Sequence, residues 1–268
     1  MQTAMIPIFE RTAHCLAICP PEEKCAAVTE LWSVCQSVDF VFDPHTPLLP
    51  IGQPGHPQKP ELLEPARLRR RRLGSEAGRA ALVHAIAHIE FNAINLALDA
   101  VYRFRNLPRA YYQEWLSVAA DEARHFRLLS ARLKVMGYRY GDFPAHNGLW
   151  EMAQRTAGDC MTRMALVPRV LEARGLDVTP GMIERLQAVG DDETVRILEV
   201  ILHEEVRHVE IGSHWFRACC DQRGLDPEAT FLALLEEYFG GSVKGPFNIP
   251  ARIRAGFTQR EMEALEAL

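Results

Sequence analysis

The sequence predicts an all-α chain: a four-helix bundle with additional short helices and a Pro-rich N-terminal arm. Three observations predict it. From Ser75 onward apolar residues recur at three- and four-residue spacing over long stretches, strand signals are almost absent, and Pro and Gly fall mainly between the periodic segments. A composition of 48% hydrophobic and 24% charged residues over 268 positions is that of a globular chain with room for a sizeable core.

Residues 1–75 read as an N-terminal helix followed by a wrapping arm. Pro21 to Ser37 has amphipathic spacing, whereas DPHTPLLPIGQPGHPQKPELLEP, between 43 and 65, carries too much Pro and Gly for a helix or a central strand. The basic run Arg67 to Arg72 is open to two readings, a contact to phosphates or an anionic substrate and a solvated surface segment. Residues 76–223 form the bundle, with long helices expected over 76–104, 108–136, 149–174 and 191–222. A short connection at Asn106-Leu107-Pro108 and a middle crossover of about 137–148 suit an up-and-down arrangement. Short helices fit 179–189, 226–239 and 258–266. The last two belong to a C-terminal extension, 224–268, in which Lys244 to Asn248 reads as a lid over one end of the bundle or as a plain connector. Pro168 removes a helix hydrogen bond four residues before Glu172 and predicts a kink in the third helix.

The bulk numbers exclude some classes. A net charge of −5 argues against a nucleic-acid partner. The N-terminus has no cationic stretch leading into an apolar run and a cleavage site, and no apolar run reaches the ~18–20 residues needed to span a bilayer. The expectation is a soluble, cytoplasmic protein without membrane contact. Seven cysteines with no CxxC pair suit reduced thiols, mostly core filler, better than disulfides or a zinc site.

The chemistry lies in a repeated motif. The second long helix carries Asp121-Glu122-Ala123-Arg124-His125 and the fourth carries Glu204-Glu205-Val206-Arg207-His208. Positions i and i+3 share a helix face, so Glu122 with His125, and Glu205 with His208, reach one region together. A single Glu-x-x-His reads as a surface ion pair; two five-position matches at the centres of two long helices do not. Each motif also follows a lone Glu in the preceding long helix, Glu90 by 32 residues and Glu172 by 33. If the members of each pair run antiparallel, four carboxylates and two imidazoles meet at one depth. That is a two-metal ligand set: Glu90, Glu122, His125, Glu172, Glu205 and His208 supply O and N donors suited to Fe first and Mn second. Bound cations also account for buried carboxylates that would otherwise be costly, buried ion-pair ladders being the alternative.

Flanking positions have supporting roles. Asp121 and Glu204, four residues before His125 and His208, are placed to accept the free ring N–H of the opposite imidazole, and Arg124 and Arg207 to pair with these acids or face solvent. His84, His88 and His203 are not ligand candidates, since His88 and His203 lie about 160° around the helix from Glu90 and Glu205 at ~100° per residue. Tyr111, Trp115 and Val118 form an apolar stripe, either core or a lining of the substrate approach.

These residues resemble the ferritin-like superfamily over about 80–220, especially the di-iron oxidases and oxygenases with repeated Glu-x-Arg-His motifs, such as acyl-carrier-protein desaturase and bacterial multicomponent monooxygenases. More closely, the whole chain resembles the bacterial ferritin-like family known as domain of unknown function 455. That likeness runs through HAIAHIEFNAINLALD (His84 to Asp99), DEARHF (Asp121 to Phe126), LEARGLD (Leu171 to Asp177) and HEEVRHVEIG (His203 to Gly212). A tRNA-hydroxylating di-iron enzyme is similar more distantly, with Glu172 in its Glu-Ala-Arg context. The resemblance implies the fold and the ligands and no particular substrate.

The expected function is a non-haem Fe/Fe or Fe/Mn oxidoreductase that reduces dioxygen and oxidises or hydroxylates a small organic substrate, with Glu90, Glu122, Glu172 and Glu205 as the catalytic carboxylates. An electron-donor protein is a candidate partner, and a homodimer is one option for assembly. The competing readings are a ferroxidase-like iron-handling protein without organic substrate and an RNA-modifying enzyme.

Overall fold

The computed structural model describes residues 6–37, 40–41, 47–68 and 71–267. The architecture is all-α, and the chain divides into two compact units, 1–151 and 152–268. Positions 43–46 of the Pro-rich stretch, with Arg69 and Arg70 of the basic run, lie outside the described residues.

The first unit begins with α1 (Ile8–Ala17) and α2 (Pro21–Ser37). α2 opens on Pro with Glu22 and Glu23 in its first turn, a composition that complements the helix dipole. The sequence points to one helix ahead of the Pro-rich stretch; the structure has two, α1 being only ten residues long. Two-residue strands, β1 (Ile6–Pro7) and β2 (Phe40–Val41), pair in parallel.

Next come α3 (Glu76–Arg103) and α4 (Arg109–Val135), close to their expected limits. Ser75 caps α3 by accepting from the Gly78 N–H. The connection turns through Asn106, whose φ of 61° is the left-handed conformation that Asn tolerates. The pair runs antiparallel: Tyr111 donates to the Ala100 carbonyl at 3.2 Å, and about three to four turns further along the pair Glu90 meets His125. α3 is long and apolar enough by composition to cross a membrane, but 78% of its most apolar window is buried, the signature of a core helix.

Lys24 of α2 is fully buried and donates to the Leu16 carbonyl and to Asn95 Oδ1, joining α1, α2 and α3; burial pulls its pKa down to about 8. The Pro-rich arm is extended and pinned along its length. Gly55 N–H donates to the Leu16 carbonyl, the Trp150 indole donates to the Gly52 carbonyl, and Glu61 and Leu63 exchange backbone hydrogen bonds with Ala145.

The crossover after α4 packs on α3 through histidines. His84 is fully buried against Tyr140 and accepts from the Gly141 N–H through Nε2 at 2.9 Å; His88 bonds Tyr140 and the His146 carbonyl. Burial, followed by the neighbouring His88, lowers the His84 pKa from 6.5 to about 4. The unfolded chain therefore binds the extra proton first, and the stability held by neutral His84 is full above pH 6.5 and lost as pH falls towards 4. We expect urea unfolding at pH 7.5, 5.5 and 4.5 to show an acid loss in the wild type up to ~3 kcal/mol larger than in His84→Gln, from 1.36 kcal/mol per pKa unit. Equal acid slopes in the two proteins would contradict this.

The second unit follows α5 (Gly148–Arg155) and contains α6 (Cys160–Leu166), a π-helical segment Val167–Glu172, α7 (Ala173–Gln187) and α8 (Asp192–Arg223). The single helix expected over 149–174 is thus interrupted. Asp159 takes up extended backbone and caps the Thr162 N–H, so α6 starts afresh. The expected kink at Pro168 is a widened turn: Pro168 has no N–H, and its own carbonyl accepts from the Ala173 N–H five residues on. The helix then continues through Pro180 to Gln187, absorbing the separate helix expected over 179–189. α8 runs antiparallel to this stretch, with Arg223 paired to Asp159 at one end and Gly212 against Pro168 further along.

α9 (Pro227–Phe239), α10 (Ile249–Arg254) and α11 (Gln259–Ala267) complete the unit. The segment Lys244 to Asn248 is strapped to α7. Arg174 donates to the Lys244 and Pro246 carbonyls at 3.0 Å, and Asn248 N–H donates to Asp177 at 2.9 Å.

Candidate metal centre

In the first unit three predicted ligands meet. Glu90 of α3 with Glu122 and His125 of α4 are 4%, 1% and 0% exposed, and a donor atom from each lies within 4.8 Å of the others. His125 Nδ1 is 3.1 Å from Glu90 Oε2 and 3.4 Å from Glu122 Oε2. The i,i+3 spacing puts Glu122 and His125 on one face of α4, and the antiparallel register brings Glu90 opposite. Burial alone would push the His125 pKa down; the Glu122 and Glu90 carboxylates outweigh it and raise it to about 11. In the absence of metal the imidazolium is therefore the cation that makes two buried carboxylates tolerable. A divalent ion would replace that proton, because a ligating imidazole must be neutral. Two carboxylates and one imidazole nitrogen converging in a dry site are a donor set that fits Fe or Mn.

The second unit repeats the arrangement in part. Glu205 and His208 of α8 are 8% and 0% exposed, with His208 Nδ1 at 3.4 Å from Glu205 Oε1. Glu172 ends the π-helical segment, half-buried, with one carboxylate oxygen fully enclosed. The register places it: Pro168 lies against Gly212, so one turn further Glu172 is level with His208. The close approach requires glycine there, since a Cβ on Gly212 would sit 2.3 Å from Pro168 Cγ.

The flanking residues lie nearer the surface. Arg124 pairs with Asp121 on its own helix at 3.2 Å, both partly exposed. Glu204 lines a shallow solvent-facing depression with Arg196, Glu199, Val200 and His203, and Arg207 is exposed. Tyr111, Trp115 and Val118 are buried, with Tyr111 and Trp115 ring centroids 6.4 Å apart, as in a packed core. His214 packs on Trp215. A pocket in the first unit lies between the Pro-rich arm and the α3 face bearing His88, Asn92 and Asn95; none of the candidate ligands lines it.

Sequence reasoning misses Arg169, which the structure buries in the π-helical segment three residues before Glu172. A signal was present. Arg169 is the one charged residue in Met164–Leu171, an otherwise apolar run, where a surface role is hard to sustain.

Comparison with known proteins supplies relatives and no chemistry. A Haemophilus influenzae protein described as uncharacterized is 45% identical over 272 residues, covering 97% of this chain and 94% of its own length. No solved structure matches the chain. The profile of the family described as "Protein of unknown function (DUF455)" matches residues 17–263, so the chain belongs to that family.

Proposed function

We propose that the chain is a ferritin-like dinuclear non-haem metal oxidoreductase, in which Glu90, Glu122 and His125 join Glu172, Glu205 and His208 to hold two ions. The buried cluster of Glu90, Glu122 and His125 carries the reading. Support comes from the same Glu-x-x-His geometry in the second unit and from charge, because four carboxylates balance two dications. The tRNA-hydroxylating di-iron enzyme is a more distant relative in this reading, through the Glu-Ala-Arg context of Glu172.

Two ions, Fe first and Mn second, would supply the electrons for dioxygen reduction coupled to oxidation or hydroxylation of a small organic substrate. The chain's own residues do the rest. The carboxylates hold the charge, and the buried faces of α3 and α4 around them exclude water. Asp121 and Glu204 orient the imidazoles, with Asp121 held by Arg124. A separate electron-donor protein restores the reduced state.

Anaerobic Fe(II) loading followed by oxygen-electrode measurement tests the reading. Oxygen uptake should stop once about two Fe per chain have been oxidised, the number set by the ligand set, and should resume only when an electron donor is added. Continued uptake with tens of Fe(II) per chain would favour iron handling. Failure to retain any Fe(II) or Mn(II) would remove the metal reading.

A further inference from the structure

Arg169 is 1% exposed. Its Nη2 donates to Glu261 Oε1 at 2.7 Å, and its guanidinium lies 4.9, 4.1 and 4.4 Å from the ring centroids of Phe216, Phe231 and Phe257. Among the described residues its Nε and Nη1 have no hydrogen-bond partner. Glu261 is itself fixed by a reciprocal cap at the start of α11: its Oε2 accepts from the Thr258 N–H at 2.9 Å, while Thr258 Oγ1 accepts from the Glu261 N–H at 3.1 Å. The backbone of Arg169 is gripped too. Arg252 of α10 donates to the Arg169 carbonyl at 3.4 Å and makes a bidentate pair with Asp177 of α7 at 2.9 and 2.7 Å. The C-terminal helices thus hold one residue of the π-helical segment by its side chain and by its carbonyl.

A stability role explains this poorly. A buried guanidinium whose Nε and Nη1 find no partner among the described residues is costly, and replacing a whole buried ion pair by well-packed apolar residues is commonly neutral or stabilising. What a buried ion pair can do, in place of adding stability, is select one arrangement among several. Here the arrangement is the widened turn. It inserts one extra residue into the helix, and closing it to regular α-helix would rotate everything on one side relative to the other by about 100°. Glu172 stands at the end of that turn.

We propose that Arg169, anchored by Glu261 and with its carbonyl held by Arg252, is a positioning residue that keeps the π-helical turn open so that Glu172 faces the metal centre. The inference rests on the reading of Glu172 as a ligand. The test uses the full chain and Co(II) as an optical probe, titrated into wild type, Arg169→Met, Glu261→Gln and Glu172→Gln, with urea unfolding of each metal-free protein. Arg169→Met leaves the Glu261 carboxylate buried without its partner and should unfold at a lower urea midpoint than wild type; the folded variant should bind one of the two Co(II) ions 10- to 100-fold more weakly with an altered visible spectrum, matching Glu172→Gln, whereas a purely structural role would leave affinity and spectrum unchanged. Wild-type binding by Arg169→Met while Glu172→Gln is weakened overturns the inference and leaves the ligand reading standing. Wild-type binding by Glu172→Gln overturns the ligand reading itself. Should Arg169→Met not fold, Glu261→Gln keeps the side-chain shape and the cap to Thr258 while removing the charge that anchors Arg169. Weakened binding then supports the proposal and unchanged binding overturns it.

Discussion

Changing Glu122 and Glu205 together to Ala should abolish metal binding and leave the helices intact. Wild-type protein purified without chelators, or reconstituted anaerobically with Fe(II), should carry about two Fe or Mn per chain by elemental analysis, the number set by the ligand set. The double variant should carry close to none. Each change removes one carboxylate from an i,i+3 Glu–His pair, leaving His125 with Glu90 alone from its unit and His208 without its neighbouring acid. Helix content by circular dichroism should be retained, since Ala has the highest helix propensity and both sites lie well inside long helices. Metal held at wild-type levels by the double variant would show the ligands to be misassigned.

The largest effect on stability is expected from Asp177→Ala. The Asp177 carboxylate is fully buried and receives both Nε and Nη2 of Arg252, whose side chain is 1% exposed, as well as the Asn248 N–H. Removing it strands a guanidinium between the Phe247 and Phe257 rings with only the Arg169 carbonyl to bind. Breaking a buried pair from one side costs about 3–5 kcal/mol, because the remaining charge keeps its desolvation penalty and loses its partner. Urea unfolding followed by circular dichroism measures it, and Asp177→Asn, which keeps an acceptor but not the charge, should fall between. A loss below ~1 kcal/mol for Asp177→Ala would show that the pair is not what holds the C-terminal helices to α7.

The parts legible in the sequence were those governed by periodicity and spacing. α2, α3, α4, α8, α9 and α11 start and stop within about two residues of the expected limits, since Ser75, Asp191 and Gly224 act locally as caps or stops. The Glu-x-x-His spacing placed Glu122 beside His125 and Glu205 beside His208 for the same reason. The third long helix was read only in part. Pro168 signals a disturbance, but whether a helix kinks, ends or widens there depends on tertiary partners that the local sequence does not show, such as Arg252, which donates to the Arg169 carbonyl from more than 80 residues away. Lys24, Arg163 and Arg252 were illegible as core residues because a cation in sequence reads as surface, and only tertiary acceptors make its burial tolerable.

The pinned Pro-rich arm has a consequence for biosynthesis. Its hydrogen bond from the Trp150 indole to the Gly52 carbonyl joins residues 98 positions apart. On a ribosome that adds about 5–20 residues per second, Gly52 waits on the order of 5–20 s for that partner. During that interval the nascent arm has neither Trp150 nor Ala145 to bind. The first unit therefore closes late, when its last helix arrives to lock down a segment made long before.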